Sequence, residues 1–313
     1  MLKGGKRMKN KRLGANALLL ITAAIWGLGF VAQRVGAENL GAFTFNAIRF
    51  GLGGISLIPL ILYFNKEKKK NKNDEVAVEG GFKKEVLPGI MLGGALYIAA
   101  TLQQIGLAYT TAAKAGFITG LYIVLVPIMG MFIGQKIDKG AGIGMLFSVA
   151  GLYLLSINEN FAISNGDLLE VIGAVFWATH ILMIDYFSKK VDSLKLSCIQ
   201  FITCGVLSFV TALFVEVITL QSIYNAMVPL LYGGFLSVGV AYTLQVIAQK
   251  SAKPSHAVII LSMEAVFGAI GGVLLLGEEM TTRGFVGCAF ILAGMLASQI
   301  KFPKKNNIES TSV

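Results

Sequence analysis

Residues 13–33 read LGANALLLITAAIWGLGFVAQ, a run without a single charged residue. At about 1.5 Å of rise per residue, an α-helix of this length crosses the roughly 30 Å hydrocarbon core of a bilayer. Six basic residues precede it, Lys3, Lys6, Arg7, Lys9, Lys11 and Arg12. A basic segment before an apolar run also resembles a secretory signal, but no small-residue cleavage site stands before Gln33-Arg34. The run therefore reads as an uncleaved first membrane helix. Lipid offers no partner to a free backbone amide, so a helix is the form such a segment takes.

The rest of the chain repeats this pattern. Of its 313 residues, 55% are apolar and only 14% charged, against about 25% charged in soluble domains. Ten span-length runs follow one another: 13–33, 43–64, 87–107, 113–134, 140–157, 167–187, 195–215, 227–248, 255–276 and 283–300. A transmembrane barrel would show short alternating segments instead. The predicted class is an all-α polytopic membrane protein. Cys198, Cys204 and Cys288 fall inside predicted spans and form no CxxC pair, so buried thiols are expected rather than a disulfide or metal site.

The net charge of +10 would point to nucleic acid in a soluble protein. Here all basic residues except Arg34, Arg49, Lys114 and Arg283 lie in the N-terminal tail 1–12, the loop 65–86, the C-terminal tail 301–313 or alternate short loops. Basic loops stay cytoplasmic. The alternation predicts an even number of crossings with both termini in the cytoplasm, and no nucleic-acid partner. Loop 65–86 reads as a flexible lysine-rich segment near anionic lipid.

The chain also contains itself twice. Trp26 aligns with Trp177, Arg49-Phe50 with Gln200-Phe201 and Gly54 with Gly205, all at an offset of 151. Gly93-Gly94 aligns with Gly233-Gly234 at 140, and Gly134, Gly144 and Ala150-Gly151 with Gly277, Gly287 and Ala293-Gly294 at 143. Each unit, 13–157 and 167–300, holds five predicted spans. Five is odd, so the second unit crosses in the opposite sense. The expected fold is ten transmembrane helices as two inverted five-helix repeats, with a substrate site at the midplane between them.

Further residues carry a resemblance. The first span holds Ala24-Ile25-Trp26-Gly27-Leu28-Gly29-Phe30, the second Ala47-Ile48-Arg49-Phe50; residues 109–127 read YTTAAKAGFITGLYIVLVP, and Gly277-Glu278-Glu279 follows an apolar run. In order and doubling, this resembles the EamA family of the drug/metabolite transporter superfamily over about residues 13–300. The resemblance implies a plasma-membrane carrier, often an exporter, of small metabolites such as amino acids, or of drugs. One departure is Gly134-Gln135-Lys136, where a Gly-Glu pair is common.

Ionisable groups inside spans are the first candidates for function. Glu264, near the middle of the ninth span, suits a cation, a proton or a hydrogen-bonded structural role. Arg49 shares a small, polar stripe with Asn46, Gly53 and Ser56. It suits a substrate carboxylate by a two-pronged bond, or a packing role locked to carbonyls. Lys114 reads either as a snorkelling interfacial lysine or as a cationic gate. His180, one turn after Trp177, fits a proton-linked site or a satisfied core polar group. Three stripes of polar and aromatic residues turn inward: Trp26, Phe30 and Gln33; Tyr97, Thr101 and Gln104; Tyr242, Gln245 and Gln249. They line a cavity, or only hydrogen-bond between helices. Gly89 and Gly93, Gly116 and Gly120, Gly130 and Gly134, Gly140 and Gly144, and Gly268 and Gly272 permit close helix approach, and Pro127 lifts a backbone hydrogen bond.

No Walker A motif, HExxH or cysteine–histidine cluster is present in the sequence, so neither a cofactor nor ATP drive is expected. The reading is a secondary transporter whose partners are a small-molecule substrate, the bilayer and a coupling proton or ion. A passive channel or an intramembrane enzyme is the alternative.

Overall fold

A computed structural model of the chain describes residues 2–70, 83–109, 112–156, 165–277 and 279–300. The side chains of residues 2–12, 68–70, 83, 112–114, 117 and 156 lie outside that description, as do most of the loop 65–86 and the C-terminal tail. Among the described residues all regular structure is helical. The helices are α1 (Leu2–Ala37), α2 (Ala42–Lys70), α3 (Lys83–Tyr109), α4 (Ala112–Thr119), α5 (Tyr122–Phe132), α6 (Lys139–Ser156), α7 (Asn165–Phe187), α8 (Ser193–Val215) and the short α9 (Leu220–Asn225). They continue as α10 (Met227–Gln249) and α11 (Pro254–Leu276), and end with α12 (Thr282–Ser298).

Seven of these, α1, α2, α3, α7, α8, α10 and α11, are long and apolar enough to cross a membrane. The apolar helices α5, α6 and α12 are shorter. One predicted span is corrected: 113–134 is not a continuous helix but α4 and α5, interrupted at Gly120-Leu121. At the interruption the bonding tightens, with Leu121 donating to Ile118 and Val124 to Leu121. Pro127, further along α5, has no N–H for the carbonyl of Ile123. The helix α11 is interrupted too. Ser262 turns its hydroxyl back onto the carbonyl of Ile259 at 2.8 Å, which bends helices, and Ala265 bonds only three residues back, to Ser262. At the offset of 143 the two interruptions fall within two residues of corresponding positions. Each interrupted stretch also ends at a glycine in the left-handed region, Gly134 (φ 81°) and Gly277 (φ 68°), the two positive-φ residues among those described. A side chain there would strain the backbone.

In the middle of α10, Tyr232–Tyr242 is π-helical. Its loosened carbonyls take donors from α1: Trp26 Nε1 donates to Ser237 O at 3.2 Å and Thr22 Oγ1 to Ala241 O at 3.1 Å. In return Tyr232 donates its hydroxyl to Ile25 O at 2.8 Å. Three bonds thus fix α1 against the irregular segment, which is where π-turns persist.

Helices cross where glycines remove the side chain, the packing that an apolar solvent favours. A Cβ at Gly144 would lie 2.7 Å from the carbonyl of Gly294, and one at Gly287 would lie 2.7 Å from that of Gly151. Gly54 abuts Ile202 while Gly205 abuts Gly51, and Gly93 abuts Gln200 while Gly233 abuts Arg49. In each case the second contact is the first with both partners exchanged for their repeat counterparts. Numbers rise on one helix as they fall on the other, so α6 runs antiparallel to α12 and α2 to α8. The most extensive contacts pair α6 with α12, α2 with α8, α3 with α7 and α8, and α1 with α11 and α10.

The crossing of α6 and α12 gives a test. A Cβ at Gly287 meets backbone at 2.6 Å (Leu155 N), whereas one at Gly142 meets nothing within 4 Å. Gly287→Val is therefore expected to cost about 1–3 kcal/mol, read as a lower Tm of the detergent-purified protein. Gly142→Ala should leave Tm unchanged. Equal effects of the two would contradict the close approach.

Candidate functional site

A cavity lies where α1, α2, α3, α4, α5, α7, α10 and α11 converge. It encloses about 40 Å³, room for about three ordered waters. Its wall is aromatic: Trp26, Phe30, Tyr122, Trp177 and Tyr242 line it. Tyr242 is the hub, with ring centroids 4.5 Å from Trp26, 6.2 Å from Trp177 and His180, and 5.8 Å from Phe201.

Set into this wall are two charged side chains of opposite sign. Glu264 is 4% exposed and accepts the Tyr122 hydroxyl at 2.8 Å. Tyr122 opens α5 just after its interruption, and Glu264 follows that of α11, so this bond joins the two broken helices. Gly27 makes the approach possible: a Cβ there would lie 2.6 Å from the Glu264 carbonyl. Arg49 is 3% exposed. Its Nε donates to Asn46 Oδ1 at 2.9 Å, and its guanidinium stands 4.8 Å from the Phe50 ring centroid. Among the described residues no carboxylate forms an ion pair with it. A buried arginine without a counter-ion is costly, and one that lines a cavity is placed to receive an anion.

Neutral polar groups complete the lining. His180 shares a 2.9 Å hydrogen bond with Gln200 Oε1, the residue that corresponds to Arg49 in the other unit. His180 Nδ1, Gln33 Oε1, Trp177 Nε1 and Gln245 Oε1 are buried without a protein partner. All four belong to cavity-lining residues, and such groups find water or ligand.

Of the nine candidates read from the sequence, Glu264, Arg49, Trp26, Tyr242, Gln245 and His180 line this cavity. Tyr97 and Gln104 do not. The Tyr97 hydroxyl pairs with Thr211 at 2.8 Å, and Gln104 Nε2 donates to the Gln33 carbonyl at 3.2 Å. On α3 it is Gln103, about 100° around the helix, that faces the cavity. The Lys114 side chain lies outside the described residues. Sequence reading missed Gln103, Thr119, Tyr122 and Trp177 as lining residues. It also missed Glu170, a carboxyl that its position inside a span could have flagged.

Polar ties join helix ends at both ends of the bundle. At the end that carries Lys136, Lys139, Lys250 and Lys253, Asp138 accepts from Ala141 N at 3.0 Å, capping α6. Its other oxygen lies 2.7 Å from His256 Nε2 and 3.4 Å from Lys253 Nζ, at the start of α11. At the opposite end Gly41 offers α2 no capping side chain. Glu216, the C-cap of α8, does so instead, accepting from Phe43 N at 2.9 Å, Thr44 N at 2.8 Å and Thr44 Oγ1 at 2.6 Å. A carboxylate at a helix N-terminus also meets the positive end of its dipole.

The Asp138 tie carries a pH signature. Partial burial alone would raise its carboxyl. The His256 hydrogen bond, the Ala141 N–H and the charges of His256 and Lys253 outweigh this and hold it at about 2, below its ordinary 3.8. A depressed carboxyl stabilises the fold above its unfolded value, and that gain is lost as pH falls through the folded one. The Tm difference between wild type and Asp138→Asn is expected to be full above about pH 4 and to narrow toward about pH 2. A difference that stays constant across this window would contradict the assignment.

Comparison with known proteins places these features in a wider group. The model of the EamA-like transporter family matches residues 13–157 and again 164–298. An uncharacterized transporter of Archaeoglobus fulgidus is 30% identical over 93% of this chain and 87% of its own length. The uncharacterized transporter YoaV of Bacillus subtilis is 20% identical over 92% of this chain and 97% of its own. A protein solved by crystallography superposes with a TM-score of 0.72 at 19% identity, covering 90% of this chain and 96% of that one. It shares the fold.

Proposed function

The chain belongs to the EamA-like transporter family and is a multi-pass membrane protein, and from that premise we propose that it is a secondary carrier of a small amphipathic metabolite. In this reading ten crossings form two inverted five-helix repeats, 13–157 and 167–300. They rock about the central cavity in alternating access. The basic end is cytoplasmic, both termini lie there, the membrane is the plasma membrane, and transport runs outward.

The observation that carries the reading is the cavity itself. It is lined from both repeats, at the meeting point of two interrupted helices, which is where carriers built from inverted repeats hold substrate. Reciprocal glycine contacts on antiparallel helices support the inversion. About 40 Å³ is too little for a metabolite, so in this reading the walls part to admit solute, as a carrier cycle requires.

The wall favours a solute with an apolar body between Trp26, Trp177 and Tyr242. Arg49 is the partner for a carboxylate, and Glu264 for an ammonium group or a coupling proton. Amino-acid-like solutes fit this pattern best, with amphipathic cationic drugs as the second class.

Purified protein in proteoliposomes tests this. Vesicles are loaded with amino acids, nucleosides, sugars and cationic drugs, and solutes that cross are identified by mass spectrometry with and without a pH gradient. Selective movement of one class, stimulated by the same solute on the far side, is expected. Arg49→Gln should slow carboxylate-bearing solutes about tenfold, the cost of one charged hydrogen-bonded pair, and Glu264→Gln should remove the effect of the pH gradient. No movement beyond protein-free vesicles, or movement without counterflow, contradicts the carrier.

A further inference from the structure

A second carboxyl lies behind the cavity wall. Glu170, in the second turn of α7, is 1% exposed. Its Oε2 accepts the hydroxyl of Thr119 at 3.1 Å, and that hydroxyl accepts from Gln103 Nε2 at 3.5 Å. Oε1 is buried and has no partner. Thr119 and Gln103 line the cavity, whereas Glu170 does not. The space is made by Gly106 of α3, where a Cβ would lie 2.8 Å from Glu170 Cγ.

The placement of Thr119 matters. It is the last residue of α4, and Tyr122 is the first of α5. The same helix break therefore gives one hydroxyl to Glu170 and another, across two residues, to Glu264. The two carboxyls come from different helices, α7 and α11, and both are tied to the interrupted stretch between α4 and α5.

We propose that Glu170 is a second proton-binding site of the carrier, joined to Glu264 through Thr119 and Tyr122 across the break between α4 and α5. The inference rests on the carrier reading for its purpose, though not for its test. A proton from water binds Glu170 Oε1 and returns to water, and no other covalent bond is made or broken. Its arrival turns Oε2 from a carboxylate oxygen into a neutral carbonyl, which weakens the bond that Thr119 donates and so the hold on the end of α4.

The groups facing Glu170 are few. On its own helix Asp167 lies one turn back and is the charged group that acts on it. From α3 come Gln103 and Gly106, and from α4 Thr119. Lys114 is also on α4, with its side chain outside the described residues. No basic side chain forms an ion pair with Glu170 among those described. One unpartnered carboxylate oxygen, one hydroxyl and one amide suit a proton better than a metal ion such as calcium, which takes about six to eight oxygens.

Infrared difference spectroscopy of the reconstituted protein, titrated from about pH 5 to 9 where perturbed carboxyls ionise, reads this without any solute. Wild type is expected to show two titrating carboxylic-acid bands. Glu264→Gln should remove one and Glu170→Gln the other, and each should move the midpoint of the band that survives, since coupled groups titrate as a pair. Should Glu170→Gln fail to fold, Glu170→Asp and Thr119→Val should each shift the band that Glu264→Gln leaves. If Glu170→Gln removes no band, or Glu264 titrates at its wild-type midpoint without Glu170, the proposal is wrong. If neither Glu170→Asp nor Thr119→Val moves a band, it is equally wrong. A failed solute panel with two intact carboxyl bands would sink the carrier reading alone.

Discussion

Hydrocarbon accepts no hydrogen bonds, so a helix that breaks inside a bilayer must find partners for its loose ends within the protein. The central arrangement of this chain follows from that constraint. The α4–α5 stretch and α11 open at nearly corresponding places, and the two openings face each other. The side chains nearest them, Thr119, Tyr122 and Glu264, bond to one another or to Glu170. The π-helical stretch of α10 meets the same demand by taking donors from Trp26 and Thr22 of α1. Irregular backbone is thus concentrated around one small cavity.

Close approach of helices makes the concentration possible. Glycine pairs hold α6 against α12 and α2 against α8 at backbone distance. Gly27 lets α1 lie on the Glu264 segment. With so little side chain at the crossings, the helices around the cavity can shift against one another without unpacking large residues. The ends are held differently, by Asp138 with His256 and Lys253 on one side and by Glu216 at the start of α2 on the other. Each tie consists of a few hydrogen bonds to a carboxylate, and such bonds are worth about 1.5–3 kcal/mol apiece.

Much of this was legible in the sequence. Apolar runs marked the helices, and the aligned glycines of the two units reappear as exchanged contacts. Trp26, Arg49, His180, Tyr242, Gln245 and Glu264 could be picked out because a polar or aromatic group inside an apolar run is costly unless it has a use. The rest depended on helix phase and tertiary contact. Gln103 and Gln104 are indistinguishable by composition, and one residue of rotation decides which faces the cavity. In the run from 113 to 134 Pro127 marked a kink, but not the interruption at Gly120-Leu121, because glycine and proline are tolerated in continuous membrane helices too. Glu170 was not singled out although it lies inside the span 167–187, and its burial depends on Gly106 from another helix.

The central claim is that the two ends of the cavity open alternately. Spin labels on Asn39 and Tyr224 report the end tied by Glu216, and labels on Lys136 and Lys250 the end tied by Asp138. Double electron–electron resonance on each pair in liposomes, with and without the transported solute, measures both gaps. The account predicts two distance populations per pair, with the long distance of one pair coexisting with the short distance of the other and solute shifting their balance. A single unchanging distance at each end, or both ends widening together, would contradict it.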